Sequence, residues 1–373
     1  MSKLSVNQLS VFNRRKRTIV GIILLALTSF SLHAEEASKL KWHPGHYIFI
    51  AKNEITKEVL MLPHFRGIQK VYVWSDFEKE KGVYDFSSLK ADLDMVRKYN
   101  RQMVIQFSYK RFFVKGLPIP AYVTGEEYGG GIYEGEYTII WNKNVLARFQ
   151  AMLAAFGKEF DSDPNLEAVN MPETALGAPR ITKLLETNPP AGFERYTEKA
   201  YLNALKGQML AMRQAFPHTA VIQFMNFPVG IIDEVTDYAK EIGVGMGGPD
   251  VYPRDGSRLS DPVTGVYRLY DKLAGFVPMG AAVQKENYSM AAKKQSGWGR
   301  ANLGKVVPGD EIPFPVRDHL KMAQEKLKLN YLFWFMDQKN INQDVVKLLE
   351  EPDLVGDIAG GLITKIPPKT FMK

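Results

Sequence analysis

Cysteine is absent from the 373-residue chain, and its absence excludes several kinds of structure and chemistry. Without thiols the protein forms no disulfide bond, has no thiolate nucleophile and carries no lipid-modified N-terminal cysteine. The fold must therefore be stabilised by packing and hydrogen bonds. An apolar fraction of 45%, with 12% aromatic residues, supplies enough material for a large core.

Signatures of metal and cofactor sites are also missing. The six histidines are scattered, and the neighbours His43 and His46 have no further ligand candidates around them. The chain has no Gly-Lys-Ser/Thr phosphate loop, no glycine spacing typical of dinucleotide binding and no Gly-x-Ser-x-Gly nucleophile motif. The sequence therefore predicts neither a metal site nor a cofactor.

The N-terminal 34 residues have the pattern of a targeting segment. Four consecutive basic residues, Arg14 to Arg17, precede the short apolar run from Ile19 to Phe30. A cleavage site of the small-residue type follows at Ser31 to Ala34. This order is typical of a secretory signal peptide. A single membrane anchor is the alternative, although the apolar run is short for a bilayer. We expect cleavage after residue 34, a mature domain of residues 35–373 without a stable membrane anchor, and a periplasmic or secreted location.

The basic character of the chain comes mostly from that segment. Residues 1–34 contain five basic residues and no acidic one, so the mature part has 43 basic residues against 41 acidic residues. The net charge thereby falls from +7 to +2. Nucleic-acid binding would need a clustered basic face on the mature domain. The charge balance gives no reason to expect one.

Eight short apolar runs rich in β-branched and aromatic residues alternate with about eight helical patterns. Such alternation predicts a parallel sheet, and eight units predict an α/β fold of the (β/α)8 TIM-barrel type in one domain. A doubly wound open sheet is the alternative, but its usual glycine-rich loop is missing. The predicted strands cover residues 46–51, 68–74, 102–108, 166–171, 219–225, 243–250, 276–284 and 330–336. The predicted helices cover residues 54–65, 144–160, 196–216, 231–242, 263–276, 315–329 and 341–349, and one more follows Ser87.

Acidic residues follow three of these predicted strands. Pro172 ends the fourth strand and Glu173 follows it, whereas Glu286 lies just beyond the seventh and Asp250 ends the sixth. Parallel barrels keep their active sites at the carboxyl ends of the strands. Two carboxyl groups at one mouth can act as acid and nucleophile. The plainer interpretation is that a strand can end in any acid and that Glu286 is an exposed loop residue.

The segment Trp74 to Ser87 adds a resemblance. Its order, a tryptophan, an acidic residue and then Gly-x-Tyr-Asp-Phe before a helix, resembles the loop after the second strand in clan A glycoside hydrolases. The resemblance implies a (β/α)8 barrel with Glu173 as acid/base, Glu286 as nucleophile and Trp334 beneath the reacting sugar. The chain departs from the family pattern at Asn170, which is separated from Glu173 by two residues instead of directly preceding it.

The sequence thus predicts an exported, retaining glycoside hydrolase that cleaves O-glycosidic bonds in a polysaccharide or oligosaccharide. A non-catalytic carbohydrate-binding barrel, favoured by the displaced asparagine, and a transglycosylase or lyase remain alternatives. A carbohydrate is the expected partner, and nucleic acid is not. Candidates for stacking on sugar rings are Tyr109, Trp141, Tyr252, Trp298 and Trp334. Candidates for polar recognition are Arg111, Asn170, Asn226, Asp250 and Gln284.

Overall fold

The computed structural model describes eight segments of the chain: residues 41–176, 179–226, 229–253, 257, 259–285, 287, 314–337 and 340–367. Eight parallel strands form a barrel that closes because the first strand also pairs with the last. The predicted (β/α)8 fold is therefore confirmed. The strands are β1 (Gly45–Phe49), β2 (Gly67–Val73), β3 (Gln102–Ser108), β4 (Leu166–Met171), β5 (Ala220–Phe224), β6 (Gly245–Gly248), β7 (Met279–Val283) and β8 (Tyr331–Asp337).

Helices cover the outside of this barrel and follow most of the strands. The predicted helix over residues 263–276 is instead a 3-10 turn, Val266–Leu269, followed by the short helix Tyr270–Leu273. One helix, Pro179–Thr187, was not predicted. The main helices are α1 (Lys57–Met61), α2 (Ser87–Lys98), α3 (Lys143–Phe160), α4 (Pro179–Thr187), α5 (Glu198–Ala215), α6 (Ile232–Ile242), α7 (Val316–Lys321) and α8 (Gln343–Leu349). Among these described helices, none has the length and apolar character needed to cross a membrane.

Strand alternation divides the buried residues into two cores. Successive side chains of a strand point to opposite faces, so alternate residues fill the barrel and the others pack under the helices. In β8, Tyr331 and Phe333 belong to the inner core, whereas Leu332 and Trp334 belong to the outer core. The inner core consists of Tyr47, Phe49, Val71, Val104, Ala168, Ala220, Ile222, Phe224, Ala282, Tyr331 and Phe333.

The long connection between β3 and α3 is structured. It contains three 3-10 turns, Arg111–Phe113, Ala121–Thr124 and Glu126–Tyr128, and a small hairpin formed by Ile132–Tyr133 and Tyr137–Thr138. Because this connection follows the carboxyl end of β3, it lies at the end of the barrel where active sites of this fold occur.

Glu78 organises the connection between β2 and α2. Its fully buried carboxylate accepts hydrogen bonds from the Trp74 indole and the Gly82 amide, each at 2.8 Å. The Tyr122 hydroxyl donates to it at 2.8 Å, and the Arg148 guanidinium forms an ion pair with it. The motif that resembles glycoside hydrolases therefore ties the β2 connection to the long loop after β3 and to helix α3.

Candidate active site

Glu173 lies two residues beyond β4, at the mouth formed by the carboxyl ends of the strands. Burial raises the pKa of its carboxyl group above the usual value, and the Lys110 ammonium and the Asn226 side chain oppose that shift. The side chain keeps some exposure to solvent. A carboxyl group in such surroundings is poised to hold a proton and to release it to a bound molecule.

The backbone around Glu173 is held by hydrogen bonds from three sides. Gln223 Nε2 donates to the Pro172 carbonyl at 2.6 Å, and the Tyr201 hydroxyl donates to the Thr174 carbonyl at 2.7 Å. The Thr174 amide donates to the Phe224 carbonyl at 3.0 Å, which continues the ladder beyond Pro172. Asn226 is fixed in turn, because its amide donates to Thr174 Oγ1 at 2.9 Å. The acid therefore lies on a rigid segment.

Lys110, which sequence reasoning did not single out, completes this support. It is buried two residues beyond β3, and its Nζ donates to the Glu173 carbonyl at 2.5 Å and to the Ala175 carbonyl. Burial lowers the pKa of Lys110 to about 8, while the Glu173 carboxylate opposes the change. The lysine thus supplies a positive charge near the Glu173 carboxyl group.

A cleft of about 370 Å³ borders the Glu173 segment. The exposed Arg111 guanidinium, a sequence candidate, lines it and faces Glu136 at 3.8 Å. Phe112 is 60% exposed, and Lys110 Nζ lies 5.9 Å from the centroid of its ring. The cleft thereby combines an open aromatic face with polar groups. Its lining residues are Lys110, Arg111, Phe112, Glu136, Tyr137, Thr138, Ala175 and Leu176.

Asp250 and Tyr252 lie on the far side of the mouth, beyond β6. Asp250 is buried and accepts a hydrogen bond from Asn287 Nδ2 at 3.0 Å, and Asn287 Oδ1 accepts one from the Gln284 amide at 2.7 Å. Tyr252 is nearly buried and packs edge-on against Phe314 at 6.1 Å. These contacts join the ends of β6 and β7.

Two aromatic candidates are buried away from the cleft. Tyr109 packs its ring against Phe149 under helix α3, and its hydroxyl donates to Gln208 at 3.2 Å. Trp141 donates from Nε1 to the Glu194 carbonyl at 3.1 Å, and only about a twentieth of its surface is exposed. Neither ring has an open face for a ligand, because other side chains of the protein pack around each of them.

Trp334 also lies outside the mouth. It points from β8 toward the helices, where its Nε1 donates to His46 Nδ1 at 3.0 Å and its ring stacks on that histidine. Trp334 therefore does not lie in the position beneath a sugar that the sequence predicted for it. Strand alternation gives the inner position to Phe335, which is half-buried and packs edge-on against Phe49 at 5.6 Å.

Asn170 points into the barrel interior and is fully buried. Neither its Oδ1 nor its Nδ2 has a hydrogen-bond partner among the described residues. The departure from the family pattern thus has a structural counterpart, since the amide lies below the mouth instead of beside Glu173. Asn226 occupies the place next to the acid.

Glu286 and Trp298 lie outside the described residues, so the predicted nucleophile and one stacking candidate remain sequence predictions. Among the sequence candidates, the structure places Asn226 beside Glu173, whereas Arg111 lines the neighbouring cleft together with Lys110 and Phe112. The sequence carried a signal for Lys110, because a lysine two residues after an apolar strand is placed at the strand-end surface. Nothing local in the sequence indicated that it would contact the β4 segment, 63 residues away.

Comparison with known proteins yields structural likeness but no match by sequence. No family model and no curated protein matches the chain. Among solved structures, the exo-β-1,4-mannosidase Op5Man5 from Opitutaceae bacterium strain TAV5 is similar, with a TM-score of 0.48 and 15% identity over 86% of this chain and 56% of the other.

Two further structures are similar over comparable lengths. The β-galactosidase from the psychrophilic Marinomonas ef1 gives a TM-score of 0.47 and 9% identity over 78% of this chain and 53% of the other. A family 39 glycoside hydrolase from Bacteroides cellulosilyticus WH2 gives a TM-score of 0.46 and 11% identity over 82% of this chain and 59% of the other. The chain spans only 53% to 59% of these three structures. Their likeness to this chain is one of fold and assigns no activity to it.

Proposed function

We propose that the protein is a retaining glycoside hydrolase, exported after removal of residues 1–34, that cleaves O-glycosidic bonds in a polysaccharide or oligosaccharide. The observation that carries the proposal is Glu173, a carboxyl group with a raised pKa on a rigid segment at the mouth of a (β/α)8 barrel. A glycosidase needs such a group, because the leaving oxygen must receive a proton as the bond breaks.

The second carboxylate of the reaction is Glu286 in this proposal. A retaining enzyme uses it to attack the anomeric carbon and to form a glycosyl-enzyme, which water then hydrolyses with the first carboxylate acting as base. Glu286 follows β7 in the sequence, and β7 lies three strands from β4 around the barrel. Asn287, the next residue in the sequence, donates a hydrogen bond to Asp250 beyond β6, which supports the choice of a residue directly after β7.

The surroundings of Glu173 support the division of roles. Burial favours the protonated form, which suits the group that begins as acid. Phe112 supplies an apolar surface beside the cleft for a sugar ring, and Arg111 supplies donors for hydroxyl groups.

The test uses residues 35–373 and a panel of polysaccharides and 2,4-dinitrophenyl glycosides, with product sizing. Glu173→Gln and Glu286→Gln should each lower hydrolysis of natural glycans by at least roughly a thousandfold while leaving the fold intact. Glu173→Gln should still be glycosylated by dinitrophenyl glycosides, because their leaving group needs no proton. Glu136→Gln, which alters a cleft glutamate away from a barrel-strand end, should keep most activity. Full activity in both Glu173→Gln and Glu286→Gln would refute the assignment.

A non-catalytic carbohydrate-binding barrel is the second candidate, because the position of Asn170 below the mouth departs from the hydrolase pattern. This candidate predicts that the same glycans bind without yielding products. Binding measured together with product sizing separates the two.

A further inference from the structure

A second cavity, of about 240 Å³, lies at the end of the barrel opposite the mouth. Arg66 and Arg101 line it, and they directly precede β2 and β3, so both belong to the amino ends of the strands. The facing wall is formed by the chain between Leu349, the last residue of helix α8, and Gly360. The cavity shares no lining residue with the cleft beside Glu173 and is a separate site.

The two arginines are fixed next to each other by backbone carbonyl groups. Arg101 Nη1 donates to the carbonyl of Phe65, the residue before Arg66, at 2.7 Å. Its Nε and Nη2 donate to two further carbonyls of the connection between α1 and β2, at 2.8 and 3.1 Å. Arg66 Nε donates to the Pro44 carbonyl at 3.2 Å. The pair is therefore held in place before any ligand arrives.

The positive charges of this pair have no anionic partner among the described residues. Neither Arg66 nor Arg101 forms an ion pair with a carboxylate there, and all four of their side-chain hydrogen bonds go to neutral carbonyls. Burial lowers the pKa of Arg101, and the charge of the neighbouring Arg66 lowers it further. Two like charges at one cavity repel each other, so an anion between them would be stabilised.

The other ionisable groups of the cavity leave a surplus of positive charge. The Asp357 carboxylate accepts hydrogen bonds from the Ala359 and Gly361 amides, at 2.9 and 2.8 Å, and lies beyond ion-pair distance of both guanidinium groups. His46 is neutral, because burial lowers its pKa to about 4. His64 is exposed and adds positive charge when it is protonated. Two guanidinium groups against one carboxylate thus favour a ligand with a single negative charge.

The hydrogen-bonding capacity of Arg66 indicates the kind of anion. A guanidinium group has five N–H donors, and only Nε of Arg66 is used within the described protein. The four N–H groups on its Nη atoms can bind two oxygen atoms of one planar group in parallel. Carboxylates fit this fork, and phosphates fit it as well.

Apolar side chains line the rest of the cavity and distinguish between these anions. Phe65 and Leu354 are buried, whereas Val355 is 49% exposed and Ile358 is 72% exposed. Contact with an apolar ligand would remove the two exposed side chains from water, which inorganic phosphate cannot do. The volume is slightly below the range of about 300–1,000 Å³ that holds drug-sized ligands. A small molecule with one carboxylate and a short apolar chain matches both parts of the lining.

We propose that this cavity binds a small aliphatic carboxylate, with its charged group on Arg66 beside Arg101 and its chain against Val355 and Ile358. The site lies at the other end of the barrel from Glu173, so the inference does not depend on the proposed function. Binding there should stabilise the folded protein, because the two guanidinium groups gain an anionic partner.

The experiment compares four probes at constant ionic strength: hexanoate, acetate, hexanamide and inorganic phosphate. Their affinities for the full-length protein are measured by ligand-observed NMR and calorimetric titration. Hexanoate should bind about tenfold or more tightly than acetate, because its longer chain is removed from water. It should exceed hexanamide by a similar factor, because the amide has no charge. Phosphate should bind more weakly than hexanoate.

Variants of the two parts of the lining separate their contributions. Arg66→Gln should weaken hexanoate and acetate alike by about tenfold, and Arg66→Lys, which keeps the charge without the fork, should weaken them less. The matched control is Lys98→Gln, which removes an exposed positive charge at the same end of the barrel and should leave both affinities unchanged.

Ile358→Ser should weaken hexanoate about threefold or more and leave acetate unchanged, since only the longer chain reaches this side chain. Val263→Ser is the control for this change, because Val263 is 76% exposed and lies away from the cavity. Neither affinity should respond to it. Hexanoate should also bind Glu173→Gln as it binds the wild type, which separates this site from the proposed active site.

Several outcomes would overturn the inference. Failure of hexanoate to bind, or equal affinity for hexanoate and hexanamide, would do so without any variant having to fold. Equal losses in Arg66→Gln and Lys98→Gln would mean that anions respond only to the overall charge of this end. Phosphate binding more tightly than hexanoate, or hexanoate binding that is unchanged in Ile358→Ser, would exclude recognition of the apolar chain.

Discussion

Lys110 Nζ lies 2.5 Å from the carbonyl oxygen of Glu173 and also donates to the carbonyl oxygen of Ala175. The same ammonium group lowers the pKa of the Glu173 carboxyl group, against the effect of burial. Lys110 therefore has two roles, because it fixes the backbone that carries the acid and adjusts the acid's proton affinity. With its own pKa lowered to about 8 by burial, it is mostly charged at neutral pH.

Replacing Lys110 with Met should move the alkaline limb of the pH–activity profile to higher pH. The first step of the proposed mechanism needs protonated Glu173, so activity should fall as the pH rises through the pKa of that group. In the proposed mechanism, removing the nearby positive charge takes away an interaction that lowers this pKa, and the carboxyl group of the proposed acid then keeps its proton to higher pH. The profile of kcat/KM against pH measures the shift.

The matched control for this prediction is Lys115→Met, which removes an exposed charge from the same loop. Its profile should coincide with that of the wild type. Lys110→Arg, which keeps the charge, should shift the limb less than Lys110→Met. An alkaline limb that stays in place, or moves to lower pH, in Lys110→Met would show that Lys110 does not influence the acid.

Phe112→Ala should weaken substrate binding while leaving the fold unchanged. The ring is 60% exposed at the cleft, so its removal costs little packing. Loss of a stacking surface worth roughly 1 kcal/mol would raise KM about fivefold for an oligosaccharide. Phe276→Ala is the control, because that exposed ring lies before β7, at the other end of the barrel. An equal KM in the two variants would show that Phe112 does not contribute to substrate binding.

The fold was predictable because the barrel strands are short, apolar and separated by helical patterns. The predicted β3 coincides with the observed strand, Gln102–Ser108. The observed β6 is shorter than predicted at both ends, because glycine has a low β-strand propensity. The closing helix was expected from Ile341 and begins at Gln343, where Asn342 caps it. Local pattern thus fixes the elements, since each strand needs only its own residues to be recognised.

The candidate site was less predictable, because a site depends on side-chain direction and on distant contacts. Trp334 was predicted to lie beneath the sugar, but the side chains of β8 alternate between the barrel interior and the helices. Phe335, not Trp334, is therefore the residue that faces the mouth. The contact between Lys110 and the Glu173 segment joins two loops that are distant in sequence. Only the closed barrel brings them together, so no local pattern could have revealed the pair.

Trp334→Phe should destabilise the protein without changing its activity per folded molecule. The substitution removes the indole donor and leaves His46 Nδ1 buried without a partner, at a cost of about 1–3 kcal/mol. His46 does not recover that cost by protonation at neutral pH, because burial lowers its pKa to about 4. Urea unfolding and kcat/KM measure the two effects.

Phe335→Leu should show the opposite pattern, with a stability loss below about 1.5 kcal/mol and a clear fall in activity, since this ring lies at the mouth. Reduced kcat/KM in Trp334→Phe together with normal activity in Phe335→Leu would reinstate the original choice of Trp334 as the residue beneath the sugar.

Glu78→Ala should be among the most destabilising single substitutions outside the barrel interior. Four groups converge on this buried carboxylate, and its removal leaves the Arg148 guanidinium without its anionic partner. Breaking a buried ion pair costs about 3–5 kcal/mol. Glu80→Ala, two residues along the same small hairpin but exposed, should change the free energy of unfolding by less than about 0.5 kcal/mol. Urea titrations of the two variants measure the contrast, and comparable stabilities would show that the motif around Trp74 and Glu78 does not organise this end of the barrel.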